Sequence, residues 1–172
     1  MSPEKISYNH GVLILRDYRP DDFGRLWQLD QRCFVAGISY SRAELRHYID
    51  RKTAITIVAE DGDELLGFLI ADRDRRGFGH IITIDVDPKQ QRKRVGTALM
   101  KSVEERLKEA GCNSVFLETA VDNLKALSFY KRHGYSVLRT LPRYYLNSVD
   151  GLLMGKKMAQ EKGATDQFRS GS

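Results

Sequence analysis

Hydrophobic spacing along the chain changes period several times, and each change marks the border of an element. Val12 to Arg16 is β-prone, and Arg19-Pro20-Asp21-Asp22 then supplies a turn and N-cap before Phe23, Leu26, Trp27, Asp30 and Phe34 at helical spacing. After the irregular stretch Val35 to Tyr40, Ser41 precedes Glu44 at the interval of a capping box, which predicts a second helix through about Ile49. Ala54 to Ala59 is an apolar, β-branched run, and Asp61-Gly62-Asp63 turns it back into Leu65 to Ala71 as an antiparallel pair. A further turn, rich in Asp and Arg and ending at Gly77, leads into a strand over Ile81 to Val86.

From Arg94 the period becomes helical. Val95, Ala98, Leu99, Val103, Leu107 and Ala110 form one stripe, closed by Gly111 as a C-terminal signal. Ser114 to Val121 returns to strand character, and Asn123 or Asp122 caps another helix through His133, ended by Gly134. A strand-helix-strand crossover makes its two strands parallel, whereas the earlier hairpins are antiparallel, so the fold class is α/β (α+β) with a mixed sheet. Tyr135 to Leu141 and Gly151 to Met158 read as a closing hairpin around a Tyr144-Tyr145-Leu146-Asn147 loop. One domain is expected over residues 1–159; residues 160–172 carry almost no apolar side chains and are expected to be a disordered tail. No internal repeat is present.

Composition narrows the class. At 172 residues the chain can bury a core without disulfide or metal staples. With 41% hydrophobic and 30% charged residues it reads as neither disordered nor membrane-embedded. No apolar stretch approaches a bilayer span, and Met1-Ser2-Pro3-Glu4-Lys5 lacks the features of a secretory signal, so the cytoplasm is the expected compartment. Cys33 and Cys112 have no CxxC or histidine company and are expected to be reduced thiols. His10, His47, His80 and His133 show no ligand spacing, so no metal is expected and all four are assigned ordinary surface or boundary positions. The net charge of +5 suits an anionic partner. Its densest cluster, Arg92-Lys93-Arg94, lies beside a glycine at a strand-helix junction, which favours compact phosphates over an extended nucleic acid.

That junction carries the strongest chemical signal. A strand ends at Val86, Pro88 turns the chain, and a basic loop with Gly96 opens a helix whose first N–H groups lack internal partners. Those donors and the positive end of the helix dipole attract phosphate oxygens, which predicts a pyrophosphate site. The run Gln91 through Gly96 resembles motif A of the GNAT acetyltransferases, whose usual form is Gln/Arg-x-x-Gly-x-Gly/Ala; Arg94 stands where the first glycine is usual. Phe116 to Asn123, followed by Ala126-Leu127-Ser128-Phe129-Tyr130-Lys131-Arg132-His133-Gly134-Tyr135, resembles motif B. The two motifs cover Ile81 to Tyr135, and the subgroup most resembled is the ribosomal-protein N-terminal (alanine) acetyltransferases.

The resemblance implies a GNAT fold, a twisted mixed sheet of about six to seven strands flanked by about four helices, with acetyl-CoA as cosubstrate. It implies that backbone groups of Ile84, Asp85 and Val86 pair with the pantetheine arm and that Gln91, Arg92, Lys93, Arg94, Val95, Gly96 and Thr97 cradle the pyrophosphate. Asn123 would cap its helix and touch the cofactor. Glu118 matches the general base and Tyr130 the general acid beside the CoA sulfur; on the residues alone, a strand carboxylate facing solvent or pairing with a basic neighbour, and a core aromatic, are the competing readings. Arg143-Tyr144-Tyr145 is similar to the Arg-x-Tyr-Tyr region in which tyrosines grip peptide backbone, and packing of both rings on the sheet is the other reading. Gly37, Ile38 and Tyr40 would form the facing wall, with Gly37-Ile38 where the subgroup often has Pro-Trp. No nucleophile-histidine grouping argues for an acetyl-enzyme. The expected reaction is direct acetyl transfer to a primary amine, first of all a peptide or protein N-terminus. Lysine or small-molecule amines, or a non-catalytic CoA-binding regulatory module, are the alternatives.

Overall fold

A computed structural model describes residues 2–8, 11–91 and 94–159. The expectations placed on His10, Arg92, Lys93 and the 160–172 tail lie outside the described residues. In chain order the elements are β1 (Glu4–Tyr8), β2 (Gly11–Asp17), α1 (Phe23–Cys33), α2 (Arg42–Ile49), β3 (Ile55–Asp61), β4 (Glu64–Arg73), β5 (Phe78–Val86), α3 (Val95–Glu109), β6 (Ser114–Ala120), α4 (Leu124–Arg132), β7 (Ser136–Tyr145) and β8 (Val149–Lys157). The eight strands make one sheet in the order β1-β2-β3-β4-β5-β6-β8-β7. Only β5 and β6 are parallel among the described pairs.

The count of about six to seven strands is corrected to eight among the described residues. β1 reads EKISY, too short and polar to stand out, and it forms because Ile6 pairs opposite Leu13 of β2. Tyr144 and Tyr145 belong to β7 rather than to a loop, and the chain turns at Leu146 and Asn147 with φ of 53° at each. β8 lies between β6 and β7, so the last hairpin inserts its second strand next to β6.

The sheet separates two cores. On one face α3 presents Leu99, Met100, Val103 and Leu107, all fully buried, against Leu69, Ala71, Ile81 and Val115. Each such side chain contributes roughly 1.5–3 kcal/mol of burial. On the other face α1 and α2 bury Leu26, Leu29 and Leu45 against Val58, Phe68 and Ile70. α2 starts as its sequence demands: Ser41 Oγ accepts the Glu44 N–H at 3.2 Å, and the Glu44 carboxylate accepts the Ser41 N–H at 2.9 Å. Buried Arg16 joins β2 to β3 and to the turn before α1 through Asp22 at 2.7 Å and Glu60 at 2.8 Å.

Candidate active site

β5 and β6 pair only from Phe78–His80 to Ser114–Phe116. Beyond that point each stays bonded to its outer neighbour, β5 to β4 and β6 to β8, so the two parallel strands part and leave facing edges unpaired. The split opens at the carboxyl ends of parallel strands, where open sheets place their ligands. Ile84, Asp85 and Val86 lie along it. The unpaired edge suits an extended chain of amide groups, which would continue the ladder.

A bulge sets what faces the split. Ile70 pairs with Thr83 but Ala71 pairs with Ile81, leaving Ile82 as an extra residue in β5. Opposed residues share a face, so His80 (opposite Asp72), Thr83 (opposite Ile70) and Asp85 (opposite Phe68) all point toward α1 and α2. Without the bulge, His80 and Asp85 would face opposite sides, since faces alternate along a strand.

At the head of α3, Arg94 is left-handed with φ of 62°, the conformation a glycine there would adopt without strain. The substitution therefore preserves the turn, and its exposed side chain adds a cation beside the helix terminus. The amides of Val95, Gly96 and Thr97 form the first turn, whose N–H groups point out of the helix end. The Val95 side chain is 2% exposed and belongs to the core, so only its backbone can serve a ligand. A Cβ on Gly96 would meet Phe129 at 3.2 Å, so this glycine lets α4 pack against α3 beside the junction. Gln91 accepts from Lys125 at the start of α4. Asn123 caps α4 by accepting the Ala126 N–H at 3.1 Å.

Glu118 occupies the inner edge of β6 on the α1–α2 side, and His80 Nε2 lies 2.6 Å from its carboxylate. His80 is half-buried, in keeping with its boundary assignment, but its contact with Glu118 was not anticipated. No sequence signal announced it, because the contact depends on two strands 38 positions apart. Tyr130 of α4 approaches from the α3 side and is 9% exposed. Burial pushes its hydroxyl well above the usual tyrosine range, so it holds its proton. Tyr145 is raised by burial as well, with Tyr144 and Glu118 adding to it, so Tyr145 lies electrostatically near both Glu118 and Tyr130. Tyr144 is half exposed with its ring edge-on to Tyr145 at 5.0 Å.

The facing wall is built around Tyr40. Its N–H donates to Asp30 at 2.8 Å, its carbonyl accepts from Trp27 at 3.1 Å and Gln31 at 2.8 Å, and its hydroxyl donates to the bulge carbonyl of Ile82 at 3.4 Å. Gly37 is left-handed (φ 90°) and touches Leu146 of the β7–β8 turn, with Ile38 half-buried beside it, so both walls meet over the split. Cys33 donates its thiol to the Val86 carbonyl at 3.4 Å; burial pushes it up to about 12, leaving a protonated thiol rather than a nucleophile. A hollow of about 520 Å³ between the ends of α2 and α3, lined by Tyr18, Thr56 and Arg106, contains none of the expected site residues.

Residues 23–135, most of both cores and the whole split, match the acetyltransferase (GNAT) family. The chain belongs to the GNAT acetyltransferase family. It is an acetyl-CoA-dependent N-acetyltransferase. This GNAT acetyltransferase is 30% identical over 152 residues to an uncharacterized N-acetyltransferase of Methanocaldococcus jannaschii, covering 88% of this chain and 96% of that one. It is 35% identical to N-alpha-acetyltransferase 30 of Xenopus laevis and 34% identical to that of Homo sapiens, over 66% of this chain in each case. The matched region spans 43% of the frog protein and 32% of the human one. In fold it is similar to the ribosomal-protein-S18-alanine N-acetyltransferase of Escherichia coli, with a TM-score of 0.79 at 18% identity over 91% of this chain and 99% of that one. Among the described residues no helix of this acetyltransferase is long and apolar enough to cross a membrane, and no cluster of metal-ligating side chains occurs.

Proposed function

We infer that this acetyltransferase acts on the α-amino group of a protein N-terminus, by direct attack of the amine on the thioester. Bound acetyl-CoA supplies an acetyl group already activated as its thioester. The β5 edge at Ile84, Asp85 and Val86 would hold the pantetheine arm, and the first-turn amides of α3, with Gln91, Arg94 and the side-chain amide of Asn123, would hold the pyrophosphate. An N–H on the unpaired β5 edge would polarise the thioester carbonyl.

One arrangement supports this most directly: base and acid approach the split from opposite faces of the sheet. Glu118, oriented by His80 at 2.6 Å, takes a proton from the acceptor ammonium on the α1–α2 side. Tyr130 gives its proton to the departing thiolate from the α3 side. Tyr144, Tyr145 and the Tyr40 wall flank the entry to Glu118 and would grip the peptide. An α-amine suits this base because its pKa of about 7.7–8.0 leaves much of it neutral near pH 8, whereas a lysine amine titrates near about 10.4. The similarity to N-alpha-acetyltransferases supports the same acceptor.

Mass spectrometry of short peptides incubated with enzyme and acetyl-CoA tests the acceptor. Peptides with free N-termini should gain one acetyl group at the α-amine. Modification confined to N-terminally blocked, lysine-containing peptides would overturn the assignment.

A further inference from the structure

Two buried acids meet beneath the acceptor wall. Asp30 of α1 is fully buried and Asp85 of β5 is 1% exposed. Asp85 Oδ1 accepts the Thr83 hydroxyl at 2.6 Å, and Asp30 Oδ2 accepts the Tyr40 N–H at 2.8 Å and the Gln31 amide at 3.0 Å. The remaining oxygens, Asp30 Oδ1 and Asp85 Oδ2, meet no N–H or hydroxyl donor among the described residues. Two adjacent carboxylates are costly in an apolar setting, but a single proton between them gives both orphaned oxygens a partner. The two side chains interact as such a pair. Burial raises both, and the neighbouring charge of Asp30 raises Asp85 further, so Asp85 keeps the proton and Asp30 is the carboxylate.

We propose that Asp85 is a positioning residue for acetyl transfer: the hydrogen bond it gives Asp30 locks Tyr40 against the β5 bulge and so sets the wall along which the acceptor amine enters. The connections close on themselves. Asp85 holds Asp30, Asp30 holds the Tyr40 N–H, and the Tyr40 hydroxyl returns to β5 at Ile82. Removing the Asp85 carboxyl strands a buried charge on Asp30 and loosens the loop that Tyr40 anchors. Facing the pair are Cys33 of α1, Glu44 of α2, Tyr40 and, across the split, Tyr130 of α4. Asp87 follows β5 and engages Arg32 at 3.2 Å, and the opposing β4 surface at Phe68 and Ile70 is apolar.

The pH dependence has a definite sign. A carboxyl whose folded pKa is raised contributes stability that is full below its unfolded value of about 3.9 and is lost as pH rises toward the folded value. An asparagine at 85 removes that loss, because its amide still donates to Asp30 and its carbonyl still accepts from Thr83.

The proposal rests on the α-amine reading only for its kinetic readout. Asp85→Ala and Asp85→Asn are compared with the parent enzyme. Asp85→Ala should raise the peptide KM about tenfold while the acetyl-CoA KM moves less than about twofold, and Asp85→Asn should recover most of the peptide KM. The single tryptophan, Trp27, bonds the Tyr40 carbonyl, so its emission should shift in Asp85→Ala and return in Asp85→Asn. The Tm of Asp85→Asn should exceed the parent's at pH 8, with the gain vanishing toward pH 4. Peptide and acetyl-CoA KM moving together in Asp85→Ala, or unchanged Trp27 emission there, would sink the positioning role. A Tm difference independent of pH would sink the shared proton, and decides the matter if Asp85→Ala does not fold. If no peptide is acetylated, the α-amine reading fails by itself, while emission and Tm still judge the Asp85 link.

Discussion

His80 and Glu118 meet at 2.6 Å at the point where β5 and β6 cease to pair. His80 is the last residue of β5 paired to β6, and Glu118 stands two positions past Phe116, its partner on β6. The contact therefore spans the fork of the sheet.

Glu118→Gln should lower kcat by about 10²- to 10⁴-fold, the range of a lost general base, with the acetyl-CoA KM almost unchanged. His80→Ala should give a smaller drop, because Glu118 remains but is no longer held. Steady-state kinetics with both substrates varied separates the two, and wild-type turnover by Glu118→Gln would remove it from the mechanism.

Tyr130→Phe should reduce kcat at least about tenfold while acetyl-CoA still raises the melting temperature as in the parent. Burial holds the Tyr130 proton well above the usual tyrosine range. Its loss therefore contributes no falling limb to the rate profile between pH 7 and about 10, and a limb in that window that disappears in Tyr130→Phe would contradict the assignment.

Arg94→Gly should stabilise the fold by about 1 kcal/mol, or about 2–4 °C in Tm, by relieving the left-handed strain at φ 62°. Arg94→Ala, which keeps the strain, should not. Both variants lose the cation, so a matching rise in acetyl-CoA KM would show that the guanidinium helps hold phosphate. Thermal denaturation and cofactor titration on one preparation read the two effects separately.

Gly37→Ala should weaken acceptor binding, because a Cβ there would lie 2.6 Å from Leu146 in a left-handed backbone. The double variant Gly37→Ala/Leu146→Ala should recover part of the peptide KM by clearing the contact. Equal KM values in the single variant and the parent would mean that the meeting of the two walls does not shape the acceptor entry.

Much of this protein follows from residues close together in the chain. The Ser41–Glu44 capping box, the Asn123 cap and the stripe from Val95 to Leu107 all appeared as read, since each depends on neighbours within a few turns. The parallel crossover through α3 was legible too, and with it the place of the strand-helix junction. Tertiary pairing decided the rest. The bulge at Ile82 turned His80 and Asp85 to one face, the bonding of β6 to β8 and of β5 to β4 left the facing edges of β5 and β6 unpaired past His80, and distant contacts brought Asp30 to Asp85. Periodicity records which residues prefer burial along one element, but register, bulges and the parting of strands arise from backbone bonds between segments far apart, so the side chains they gather are known only once the sheet is assembled.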